Sequence, residues 1–104
     1  MKPSTPSALA ESDVDEAVAF YLTEASFRVA ERFVDAYDEA LWHISRFPGT
    51  GSRRYTTSEV DFELRFWTLN KFPYAVFYRE RANDVEIIRV LHRDAMLVSR
   101  STTT

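Results

Sequence analysis

The chain contains no cysteine, only two glycines, two lysines and two histidines among its 104 residues. Each scarcity excludes something. Without cysteine there is no disulfide framework, thiolate metal site, cysteine nucleophile or redox motif, so an apolar core must hold the fold unaided. The glycines, Gly49 and Gly51, stand together in one short stretch and fit no phosphate-cradling spacing. His43 and His92 are far apart, with no paired-ligand pattern around either. Asp13, Asp15 and Glu16 lack the further ligands and the glycine of a calcium loop and suit a helix start instead. No metal ion and no cofactor are therefore expected. No apolar run approaches the about 20 residues of a membrane helix, and Met1-Lys2-Pro3-Ser4-Thr5-Pro6 has no apolar leader core. A cytoplasmic, soluble single domain over residues 1–98 is expected, with a flexible polar tail over 99–104.

What is present is aromatic surface and unevenly placed charge. Eight Phe, five Tyr and two Trp supply large buried areas for a small core. The formal charge of -3 conceals a split: residues 1–45 carry three basic against nine acidic groups, and residues 46–104 carry ten against seven. Eleven of the thirteen cations are arginine, the side chain suited to planar, bidentate contacts with carboxylate or phosphate. An acidic front and an arginine-bearing back suggest two surfaces with different partners.

Two amphipathic helices come first. Leu9, Val14, Ala17, Val18, Tyr21 and Ala25 recur at the helical period after Thr5-Pro6, which reads as a cap followed by proline at the first helical position; Ser12 is an alternative, later cap. A second stripe runs through Ala30, Phe33, Tyr37, Ala40, Leu41 and Ile44, with Ser26 as its cap and Pro48 as its limit. Few residues separate the two, which predicts an antiparallel helical hairpin. The stretch Phe47 to Arg54 reads as an exposed loop.

Three β-rich runs follow. Phe62, Leu64 and Phe66 alternate with Glu63, Arg65 and Trp67; Tyr74 to Tyr78 is aromatic and β-branched; Val85 to Leu91 lies beyond a turn at Arg81-Ala82-Asn83-Asp84. Pro73 belongs at the very start of the middle strand. Short connections make an antiparallel meander, and the hairpin is the only cover available for its apolar face. The fold class is α+β.

The order of these elements, with Ala40-Leu41, Ile44, Pro48, Gly51-Ser52-Arg53, Leu64-Arg65, Lys71-Phe72-Pro73-Tyr74-Ala75-Val76-Phe77-Tyr78-Arg79 and Ile87-Ile88-Arg89-Val90-Leu91-His92, resembles the RelE/ParE toxin superfamily, its ParE-like branch most. The resemblance spans roughly residues 6–94. It implies a type II toxin–antitoxin toxin with an N-terminal edge strand, Lys2 to Thr5, beside the hairpin, and a three- to four-stranded antiparallel sheet. It also implies a cognate ParD-like antitoxin with a ribbon-helix-helix domain, and DNA gyrase as the target. The chain departs from the family where members often read His-Gly-x-Arg-Asp, since His92-Arg93-Asp94 has no insert.

Two kinds of chemistry compete for the arginines. In a RelE-type, ribosome-dependent mRNA endoribonuclease, His92 would act as acid or base, being the side-chain type that exchanges protons near neutrality, with Arg65 and Arg89 on the phosphate from one sheet face. The plainer reading pairs Arg65 and Arg89 with Glu63, Glu86 or Asp94 and leaves His92 hydrogen-bonded at a strand end. A sequence pI near 5.3 and only one lysine after Lys2 argue against direct nucleic-acid binding and for a gyrase-directed toxin without nuclease chemistry. Trp42, Phe47 and Trp67 then become apolar anchors for the antitoxin, with Arg53, Arg54, Arg65 and Arg89 meeting its carboxylates. A third reading is a non-toxic binding domain that keeps only the fold.

Overall fold

The computed structural model describes residues 1–53 and 62–94. In chain order the elements are β1 (Ser4–Pro6), α1 (Ala8–Glu24), α2 (Phe27–Arg46), a 3-10 turn (Pro48–Thr50), β2 (Arg65–Thr68), β3 (Tyr74–Glu80) and β4 (Val85–His92). The strands form one sheet in the order β1-β4-β3-β2. Both β2–β3 and β3–β4 are antiparallel, as their short connections require. The expected edge strand is present but shifted to Ser4–Pro6, and it runs parallel to β4, so the sheet is mixed rather than antiparallel. No tight turn joins β1 to β4, and only a tight turn would have imposed the opposite sense.

Proline at the end of β1 is compatible with this edge because Pro6 has no N–H to leave unpaired. The pairing consumes Thr5 and Pro6, so the helix cap moves to Ser7. Its hydroxyl accepts from Ala10 N at 3.0 Å and donates to the Ile88 carbonyl at 2.8 Å, which ties the start of α1 to β4. Neither Thr5 nor Ser12 serves as a cap, and Ser12 lies inside α1. On α1, Ala10, Val14, Ala17, Val18 and Tyr21 turn toward the core. Ala25 and Ser26 alone separate the helices, and Ser26 caps α2 through Val29 N at 3.1 Å. On α2 the buried stripe is Ala30, Phe33, Tyr37, Ala40 and Ile44. The helix ends at Arg46 before Pro48, with the Phe47 N–H still donating to the His43 carbonyl at 2.8 Å.

The core lies between this hairpin and the sheet. Phe33, Ile44, Val76, Tyr78, Val85, Ile87 and Val90 are buried there, and Tyr21, Phe33, Phe72 and Tyr74 meet in edge-on ring contacts with centroids 5.1–6.3 Å apart. The glycine stretch is not wholly exposed. Gly51 is buried: its N–H donates to the Tyr78 hydroxyl at 3.0 Å, and that hydroxyl donates to the Pro48 carbonyl at 2.7 Å. A β-carbon at Gly51 would overlap the Tyr78 hydroxyl, so glycine is required here for close approach. Ser52 bridges the outer edge of β2 through Phe66 in both directions at 2.9 Å, which closes part of an otherwise open strand edge. The first predicted strand run, from Phe62, contributes regular pairing only from Arg65 to Thr68.

Candidate functional site

A groove of about 410 Å³ runs between the C-terminal half of α2 and the β2–β3 turn, lined among others by Ala36, Trp42, His43, Trp67, Leu69 and Lys71. Its aromatic wall is assembled from two elements. Trp67 on β2 stacks against His43 on α2, ring centroids 3.9 Å apart and 16° from parallel. His43 also touches Phe47 at 5.4 Å and shares a 2.9 Å hydrogen bond with the Thr50 hydroxyl. Trp42, 55% exposed, lies on the outer side of the helix with the Arg46 guanidinium 4.8 Å from its ring, and Phe47 is 49% exposed just past the helix end. Large apolar rings left in water at one end of a domain mark a contact surface.

The opposite wall is the β2–β3 turn, closed by the Leu69 N–H donating to the Tyr74 carbonyl at 2.9 Å. Lys71 in that turn has φ 68°, a left-handed conformation that a side chain other than glycine or asparagine adopts at a cost. A strained cation therefore stands on the groove rim. Neither Lys71 nor His43 belonged to the expected site. The signal for Lys71 was its position in a strand-to-strand turn, but its proximity to Trp67 and Trp42 depends on how α2 crosses the sheet.

The arginines are distributed differently from the expectation. Arg53 and Arg65 converge on a single carboxylate: Arg53 Nη1 reaches Glu63 at 2.6 Å, Arg65 Nη2 reaches it at 2.8 Å, and Arg65 Nη1 donates to the Gly51 carbonyl at 2.8 Å. The Arg53 hydrogen bond, with Arg65 adding to it, holds the Glu63 carboxyl below the usual range. Arg54 lies outside the described residues.

Arg89 does not pair with Glu86 or Asp94. Its guanidinium binds Asp13 on α1 at 2.8 and 2.9 Å, while Arg79 takes Glu86 at 2.7 Å. A register shift lies at the same place, because Phe77 is opposite Arg89 and Tyr78 opposite Ile87, so Ile88 is an extra residue on β4. The same Asp13 accepts from Val90 N at 2.9 Å, covering a β4 edge that β1 is too short to reach. His92 packs edge-on against Tyr74 at 5.0 Å, with its Nδ1 accepting from Asp94 N at 3.0 Å. Arg65 and Arg89 thus stand on strands separated by β3, each already engaged by a carboxylate. Among the described residues no cluster of three His, Asp or Glu side chains suits a metal ion, and no helix is long and apolar enough to cross a membrane.

The model of the family described as "ParE toxin of type II toxin-antitoxin system, parDE" matches residues 5–97. No curated protein matches the chain. Among solved structures, the fold is similar to a chain titled "Chromosomal ParDE TA system from P. aeruginosa", with a TM-score of 0.72, 21% identity, and 88% of this chain and 96% of that chain covered.

Proposed function

The chain belongs to the ParE toxin family of type II toxin–antitoxin systems, and from that premise we propose that a ParD-like antitoxin neutralises it by laying an acidic, apolar-anchored segment in the groove between α2 and the β2–β3 turn. The observation that carries this reading is the groove itself, with exposed Trp42 and Phe47 beside the His43–Trp67 stack and Lys71 on the rim. Aromatic rings supply most of the affinity in such contacts, and a rim cation speeds and orients the approach of an acidic segment. Arg53 and Arg65 contribute only by exchanging Glu63 for an antitoxin carboxylate. Arg89 would have to leave Asp13, so it belongs to the fold before it belongs to the interface.

DNA gyrase is the proposed target, with the toxin acting through protein contact. Two facts support this over an mRNA endoribonuclease: the chain is acidic overall, and Arg65, Arg89 and His92 do not converge on one point where a scissile phosphate would sit. Supercoiling by gyrase, measured with increasing purified protein, is expected to fall and to recover when the antitoxin encoded beside the toxin gene is added. Unchanged supercoiling at saturating toxin removes gyrase from the reading. Trp42→Ala with Trp67→Ala is expected to weaken antitoxin binding by about 100-fold, in keeping with central aromatic anchors. Binding unaffected by both changes would move the antitoxin elsewhere.

A further inference from the structure

The hairpin carries a second patterned surface. On α1, Glu11, Asp15, Val18 and Leu22 succeed one another at spacings of four, three and four residues; on α2, Phe27, Glu31, Val34 and Asp38 repeat the same spacing. Each set is therefore one stripe along its helix. The tight Ala25-Ser26 connection brings the stripes side by side in opposite directions. The result is a valley with Leu22, Phe27 and Val34 exposed at 50, 72 and 36% and with Glu11, Asp15, Glu31 and Asp38 along it. None of these four carboxylates forms an ion pair among the described residues. The arginines of α2, Arg28, Arg32 and Arg46, fall on other faces of the helix by their spacing.

We propose that this valley is a second docking surface, taken by a cationic amphipathic helix of a protein partner other than the antitoxin's acidic segment. Apolar side chains at helical spacing on the incoming helix would cover Leu22, Phe27 and Val34, and lysines or arginines flanking them would meet the four carboxylates. The valley extends over residues 11 to 22 of α1, a length of about 16 Å, so about three turns of helix fill it. A second copy of the chain is a poor occupant, because a two-fold contact would set the same carboxylates against each other. An acidic segment or an anionic lipid surface meets the same repulsion.

The test uses the purified full chain and three labelled helical peptides of about 11 residues, the length of the valley: one of leucine and lysine with leucines at i, i+3, i+4 and i+7, one with alanine replacing leucine, and one with glutamate replacing lysine. Fluorescence anisotropy is expected to show the leucine–lysine peptide binding at least about tenfold more tightly than either other peptide, with affinity falling as salt rises. Glu31→Lys with Asp38→Lys is expected to weaken it by about tenfold or more, and so is Phe27→Ser with Val34→Ser. Equal charge reversal off the stripe, Glu24→Lys with Asp35→Lys, is expected to change it less than about twofold. All of these positions are exposed, so the folded state is retained and is checked by circular dichroism. Equal binding of the alanine–lysine peptide, an equal loss in the off-stripe variant, or peptide-induced amide protection on the sheet instead of residues 11–38 would each overturn the proposal.

Discussion

At single positions the two glycines divide sharply. An added methyl at Gly51 would overlap the Tyr78 hydroxyl and lie 2.9 Å from its Cζ, and Tyr78 is fully buried, so it has no room to move. Gly51→Ala is expected to lower stability by about 2 kcal/mol in urea denaturation, an overpacking cost. Gly49 has nothing within 4 Å of such a methyl and no left-handed backbone, so Gly49→Ala is expected to be neutral or to stabilise by up to about 1 kcal/mol. A second residue-scale consequence concerns alkaline pH. Burial, with Asp38 and then Glu11 adding to it, pushes the Tyr37 hydroxyl up to about 12 from the usual 10.0. The unfolded chain then loses this proton first, so stability is expected to fall as pH rises from about 10 toward 12, by about 2 kcal/mol for this group. Tyr37→Phe removes that part of the alkaline loss; an unchanged pH profile in the variant would refute the assignment. At the acid end Asp84, bound by Arg81 and by Thr5 of β1, has its carboxyl lowered to about 2, so its contribution is complete above the ordinary carboxylate range and lost as pH falls toward 2.

At the scale of elements, Asp13 joins α1 to β4. It accepts two bonds from Arg89 and one from Val90 N, and its side chain is only 10% exposed, whereas Arg89 is 40% exposed. Removing Asp13 strands a strand-edge N–H as well as a cation; removing Arg89 leaves Asp13 still bonded to Val90. Asp13→Ala is therefore expected to cost about 2 kcal/mol and Arg89→Ala about 1 kcal/mol or less by denaturant melting. Equal costs would mean that the Val90 bond contributes nothing. The helices were legible because Ser26, Pro48 and the stripe of Phe33, Tyr37, Ala40 and Ile44 are local signals. The cap of α1 was not, since Thr5-Pro6 is as good a local start as Ser7, and the choice was made by pairing between residues about 80 positions apart.

For the whole molecule, the groove and the hairpin valley face different neighbours, and their charges differ accordingly. Lys71 and Glu39 line the groove, with Arg46 beside Trp42, while the four carboxylates of the valley form no ion pair among the described residues. Binding of an acidic antitoxin segment is expected to weaken as salt rises, mainly through slower association, as exposed charge pairs are screened over about 10 Å at 0.1 M. Lys71→Ala is expected to reduce that salt sensitivity with little loss of affinity at high salt, measured by stopped-flow association. An unchanged salt slope would exclude Lys71 from the contact.

The sequence by itself determined the hairpin, the three-stranded meander and the cysteine-free core, because each depends on periodicity, capping or turn chemistry within a few residues, or on composition alone. Tertiary structure alone decided the parallel sense of β1, the burial of Gly51 against Tyr78, the diversion of Arg89 to Asp13, and the stacking of His43 on Trp67. Each of these joins groups distant in sequence whose meeting depends on strand order and register. One extra residue on β4 opposite Phe77 goes with a partner for Arg89 that no local pattern could have named.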